Sequence, residues 1–153
     1  MQNIQLYLDL TFFTILGLMM FIALWITFER LFLFKRIDVE SYPHIELLNI
    51  DITKNLTTLS TIGANAPYVG LLGTVIGILI TFYEIGMNDS LETAVIMTGL
   101  ALALKLTAAG IAVAIPALMF YNGLLRKVEE LQAKYRVYQD LALKNKDEGQ
   151  KLN

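Results

Sequence analysis

Residues 62–83 read IGANAPYVGLLGTVIGILITFY, 22 consecutive positions without a charge. A helix rises 1.5 Å per residue and needs about 20 such positions to cross the ~30 Å hydrocarbon core of a bilayer. The stretch is therefore read as a membrane span. Two further stretches, one on either side, have the same character. Residues 10–28 are uncharged and bounded by Asp9 and by Glu29-Arg30, and residues 94–125 carry one charge, Lys105. An all-α membrane protein with three transmembrane helices follows.

The composition of the 153-residue chain agrees, since 56% is hydrophobic, above the roughly 45–50% of soluble domains. Three spans leave connections and a tail but no room for a separate soluble domain. There is no cysteine, and His44 is the single histidine, so disulfides, thiolate nucleophiles and most zinc sites are excluded. No nucleophile–base pair, metal-ligand spacing or phosphate-cradling loop is present, and the glycines at 70, 73 and 77 lie inside an apolar helix. The chain is not expected to be an enzyme, to hold a cofactor or metal, or to bind nucleic acid; its surroundings are membrane lipid.

The expected divisions are an N-terminal segment with span one (1–34), a short cytoplasmic connection (35–61), span two (62–83), a periplasmic loop (84–93), span three (94–125) and a cytoplasmic helical tail (126–153). No Lys or Arg precedes Arg30, so span one lacks the basic start of a cleaved signal peptide and is expected to stay as an anchor. Pro43 breaks the connection, which is otherwise mixed in charge. In the tail, Val128, Leu131, Tyr135, Tyr138 and Leu141 recur at steps of three and four, one helical face. Span three is expected to continue as a long helix whose stripe packs on the connection, on neighbouring subunits or at the membrane interface, with about the last ten residues frayed.

Basic residues give the orientation. Arg30 at the inner end of span one, the connection and the tail together hold 11 of the 12 Lys and Arg residues and Lys105 is the other, whereas the outer segments hold Asp9, Glu84, Asp89 and Glu92 and no base. The N-terminus is expected in the periplasm and the C-terminus in the cytoplasm.

At about 100° per residue, Gly70, Thr74, Gly77, Thr81 and Glu84 fall within an arc of roughly 80°. Gly99, Ala103, Thr107, Gly110 and Ala114 do the same in span three. Small residues at this spacing let helix backbones approach, and a lone membrane Thr commonly bonds its own i−4 carbonyl. Yet Thr74 and Thr107 lie about 15 to 20 Å from the outer ends of their spans, near the midplane and at similar depth. In a ring of copies their hydroxyls would form a polar collar around a passage.

Lys105 is the one ionisable residue deep in these two spans, and such residues are costly enough to be functional candidates. It sits about 200° around the helix from Thr107. Snorkelling or pairing with a neighbouring helix is one explanation; a counter-charge for another subunit's carboxylate is the other. Spans two and three contain no Asp, Glu or His near midplane, so a proton-carrying acid would have to come from a partner.

Ala66-Pro67-x-x-Gly70-Leu71-Leu72-Gly73-Thr74-Val75-x-Gly77-Ile78 and Thr107-Ala108-Ala109-Gly110-x-Ala112-Val113-Ala114-Ile115-Pro116-Ala117-x-x-x-Tyr121-Asn122 resemble the ExbB/TolQ/MotA family of proton-channel subunits, nearest its ExbB branch. The resemblance implies a homo-oligomeric ring, a pentamer, in the inner membrane of a Gram-negative bacterium. The ring would enclose an ExbD-like single-span partner that supplies an aspartate. Proton flow would energise a TonB-like protein for outer-membrane uptake of siderophores or vitamin B12.

The family's pore threonines correspond to Thr74 and Thr107. Thr81 and Glu84 extend that pore-lining face outward, while Gly70, Gly73, Gly77, Gly110 and Pro116 are assigned to helix packing. Many members have a glutamate where this chain has Leu102, so that acid's role does not transfer. The short connection and the absence of a fourth span point away from MotA. A TolQ-type role in envelope integrity and a non-conducting scaffold are the alternatives.

Overall fold

The computed structural model describes residues 2–87 and 93–151, all-helical and without strands. Helix α1 spans Gln2–Arg36. A 3-10 turn at Val39–Ser41 follows, capped by the Asp38 carboxylate, which accepts from the Glu40 amide at 3.1 Å. Helix α2 spans Ile45–Thr53, α3 Leu56–Met87 and α4 Thr93–Lys151. Three of these helices are long and apolar enough to cross a membrane.

Burial follows heptad steps along α1. Leu16, Ala23 and Arg30 are buried on one stripe, with Ile26 and Thr27 beside it, and this stripe faces Ile62 and Ala66 of α3 and Val113, Ala114 and Ala117 of α4. The opposite faces present Phe13, Phe21, Trp25 and Phe28 of α1, Leu72 and Leu79 of α3, and Leu104 and Met119 of α4 to the surroundings. Large apolar side chains on the outside around a core of small ones suit a lipid solvent, where close backbone approach drives association.

α3 begins at Leu56, six residues before the uncharged stretch, because the chain turns tightly between α2 and α3. Asn55 supplies the left-handed residue of that turn (φ 64°), a conformation Asn tolerates better than most residues. Its side-chain amide donates to Glu29 at 3.3 Å. The two helix-internal prolines, Pro67 and Pro116, leave α3 and α4 continuous.

The connection is a folded cap. Leu48 and Ile52 of α2, Leu56 and Leu59 of α3, and Val128, Leu131 and Tyr135 of α4 share one buried cluster. The tail stripe is thus covered by the connection as far as Tyr135. Tyr138 and Leu141 are not covered (39% and 56% exposed), because α2 and its entry turn end at that level. The tail expected to fray is helical to Lys151. Asp89 and Glu92 of the outer loop, and residues 152 and 153 of the tail, lie outside the described residues.

A methyl group on Gly73 would meet both the Phe12 ring (3.1 Å) and Leu106 (2.7 Å). Phe12 is therefore level with the middle of the apolar runs of α3 and α4, and Asp9, three residues farther out, lies alongside them. From this level α3 runs fourteen residues farther to Met87, about 21 Å, while α1 runs ten residues to Gln2, about 15 Å.

Candidate functional site

The two small-residue faces predicted for spans two and three meet each other within one chain. A Cβ on Gly70 would collide with the Leu106 carbonyl and stand 3.1 Å from the Cα atoms of Gly110 and Thr107. One on Gly110 would lie 2.6 Å from the Ala66 carbonyl, and one on Gly77 2.9 Å from the Ala103 Cβ. A Cβ on Gly73 would instead meet side chains, Leu106 at 2.7 Å and Phe12 at 3.1 Å. The seam is closed by backbone contact, which only residues without a side chain allow.

Thr74 and Thr107 come together in this seam, their Oγ1 atoms 2.6 Å apart. Thr74 Oγ1 also lies 2.9 Å from the Ala103 carbonyl and 3.2 Å from the Gly70 carbonyl. A hydroxyl has one proton and two acceptor sites. Once Thr74 donates to the Ala103 carbonyl, Thr107 must donate to Thr74, which leaves the Thr107 lone pairs open. Thr74 is buried (5% exposed), whereas Thr107 keeps part of its surface exposed. Reversing the sense, so that Thr74 donates to Thr107, frees the Thr107 proton for an outside acceptor at the cost of one carbonyl bond. The pair can thus present either an acceptor or a donor at one point.

Thr81 is also in the seam. Its hydroxyl donates to the Gly77 carbonyl at 3.0 Å, and a Cβ on Gly99 would sit 2.9 Å from it. Glu84 lies three residues farther along α3, half-buried. Pro116 is half-buried on α4. Lys105 is not with these groups: it is exposed and lines a shallow groove of about 520 Å³ with Met97, Thr98, Ala101 and Leu102, all on α4.

These helices and motifs match known proteins. A sequence model described as the MotA/TolQ/ExbB proton channel family covers residues 39–137. The chain belongs to that family. A biopolymer transport protein ExbB of Helicobacter pylori is 49% identical over 137 residues, covering 90% of this chain and 94% of the relative. Another of that name from Aquifex aeolicus is 46% identical over 130 residues, covering 85% and 88%. This member of the MotA/TolQ/ExbB family is a multi-pass membrane protein, and among its described residues no group of three acidic or histidine side chains is placed to hold a metal ion.

Sequence reasoning missed the polar network that ties the cap to the spans. Arg30, 1% exposed, donates from one terminal nitrogen to the Asp51 carbonyl (2.8 Å) and from the other to the Glu29 carboxylate (2.7 Å). Tyr42 donates to Asp51 (2.8 Å), Gln132 to Asn49 (2.9 Å), Tyr135 to the Tyr42 carbonyl (3.2 Å) and Gln139 to Tyr135 (2.9 Å). Partial burial, and then the hydrogen bond to Asp51, pushes the Tyr42 hydroxyl above its ordinary value. The available signal was Arg30 itself, which continues the Leu16–Ala23 heptad stripe and so had to be buried with partners for its charge; both terminal nitrogens find them, while its Nε has none among the described residues.

Proposed function

We propose that this chain is the ring-forming channel subunit of a proton-motive-force-driven motor in the bacterial inner membrane. Its N-terminus faces the periplasm, and the ring, a pentamer, encloses an ExbD-like single-span partner whose carboxyl group carries the proton. The motor energises a TonB-like protein for outer-membrane uptake of siderophores or vitamin B12. The observation that carries the reading is the Thr74–Thr107 pair at 2.6 Å, half-exposed in a chain whose α3–α4 seam is otherwise closed by glycine. A carboxyl group passing it meets an acceptor when protonated and a donor when ionised, so both states of the carrier are matched at one place.

Glu84 continues the face toward the outer mouth, with Thr81 buried in the seam behind it, and Lys105, away from the threonines, is a counter-charge at a contact between subunits. A charge crossing 100 mV supplies about 2.3 kcal/mol, enough for a few protons to drive a conformational step.

The test is proton-gradient-dependent uptake in cells carrying Thr74→Val or Thr107→Val. Loss of uptake with an intact complex is expected; normal uptake in both would end the pore role. Replacing the partner's membrane carboxylate by its amide separates conduction from a scaffold role, since a scaffold would be unaffected. Rescue of envelope integrity instead of uptake would favour a TolQ-type role.

A further inference from the structure

Helix α2 is apolar on both sides. Leu48 and Ile52 are buried in the cluster shared with α3 and α4, yet Leu47 and Ile50 remain 48% and 65% exposed. At about 100° per residue, Ile50 lies roughly opposite the buried pair, with Glu46 and Leu47 within about 60° on either side of it. A surface helix turns a polar face outward, and one that is apolar on both sides is covered on both.

The outer side of α2 has acidic flanks. Glu46 makes no ion pair among the described residues, and Asp51, which accepts from Tyr42, stands at the other edge. The cytoplasmic leaflet is anionic and draws basic segments to it, so an apolar face edged by carboxylates suits a basic protein surface better than lipid.

The chain carries such a surface at the same height. Arg126, Ala133, Lys134, Val137 and Leu141 are exposed and share an arc of about 100° on α4. Ala133 and Val137 lie roughly 150 to 170° around the helix from the stripe of Val128, Leu131 and Tyr135 that the chain's own cap covers. The one acid in that arc, Glu130, is engaged by Lys127 at 2.7 Å and lies 4.0 Å from Arg126, whereas Lys134 has no ion pair among the described residues. Two hydrogen bonds set the height: Gln132 donates to Asn49 and Tyr135 to the Tyr42 carbonyl. Glu46 lies between Tyr42 and Asn49 in the chain, and so stands level with residues 132–135, where Lys134 is. The two outer faces point away from each other across the α2–α4 contact, so one chain cannot join them.

We infer that the outer face of α2, with Glu46, Leu47 and Ile50, docks on the outer face of α4 of a second copy, at Ala133, Lys134 and Val137. This deepens the ring reading proposed above, and rests on it, by naming the contact between subunits below the membrane. The contact joins two different faces at one height, so it repeats head to tail and closes into a ring. Each α4 is then held between its own cap and its neighbour's.

The chain lacks cysteine, so site-directed crosslinking has no background. Leu47→Cys and Val137→Cys chains, both altered at exposed positions, are co-expressed with the remaining subunits of the complex and treated in membranes with a short bis-maleimide. Covalent dimers are expected only where both chains are present. Their absence from a preparation that native mass spectrometry shows to be oligomeric would overturn the docking and leave the ring standing; monomers alone would overturn both. A fluorophore on Leu47→Cys that brominated lipid quenches would place this face on the bilayer and likewise overturn the docking. As a second arm, Glu46→Lys and Lys134→Glu are each expected to lower oligomer yield about fivefold, and the double reversal to restore it, as coupled pairs do. Additive losses in the double variant would count against the contact.

Discussion

The hydroxyl oxygens of Thr74 and Thr107 lie 2.6 Å apart across the α3–α4 seam, one buried and the other open to the outside of the chain. This asymmetry separates the two residues experimentally. Thr74→Val leaves Thr107 without its seam partner, so a loss of roughly 1–3 kcal/mol in stability is expected for the unsatisfied group, along with lost uptake. Thr107→Val removes the exposed group while the Ala103 carbonyl keeps its bond to Thr74, so uptake falls with little change in melting temperature. Thr107→Ser retains uptake. Thermal melts of the purified complex beside uptake assays check all three.

The seam glycines are expected to be far less tolerant than glycines elsewhere. Gly70→Ala and Gly110→Ala force a methyl group into opposing backbone and should destabilise by about 1–3 kcal/mol or more, as overpacking does. Gly17→Ala and Gly123→Ala, where nothing lies within 4 Å, should be neutral or slightly stabilising, since alanine favours helix. Complex yield and melting temperature in detergent distinguish the two groups.

Arg30 anchors the cap by bonding a carbonyl in the last turn of α2 and the Glu29 carboxylate. Arg30→Met keeps much of the apolar volume but leaves the Asp51 carbonyl without its donor. A loss of about 1–3 kcal/mol is expected, seen as faster proteolysis of residues 37–44 with the spans still inserted. Unchanged proteolysis would show that the apolar cluster alone holds the cap.

Alkaline pH should loosen the same cap. Folding raises the affinity of the Tyr42 hydroxyl for its proton, so its contribution is fully present below pH about 10 and is lost as the pH rises through the folded-state value. Melting temperature should fall more steeply above that pH in the native chain than in Tyr42→Phe, which has no group to titrate there.

Tyr135→Phe removes the donor to the Tyr42 carbonyl and the acceptor for Gln139 while preserving the ring in the core. About 1 kcal/mol of stability should go, with α4 more exposed to hydrogen exchange from residue 132 onward.

Much of the site was legible early because it depends on local chemistry. Small residues and threonines recurring every three to four positions define a face whatever that face touches, and two threonines at similar depth invite comparison. What each face touches was not legible. The glycines were assigned to packing and the threonines to a passage between copies, but which helix each face packs on was open: Gly70 and Gly110 press together within one chain, and Thr81 lies against Gly99. Periodicity gives the direction of a side chain around its own helix and carries no information on where the neighbouring helix stands.

The sequence by itself determined three apolar helices, a third helix running on past the membrane, and the residues that make two of the helices close-packing, because hydropathy, length and helical period are properties of contiguous chain. Only the tertiary structure decided that the threonines pair, that the connection covers the tail stripe as far as Tyr135, and that Asp9 stands alongside the apolar runs of α3 and α4. Each of these depends on the relative sliding of helices, which is settled by contacts between residues far apart in the chain.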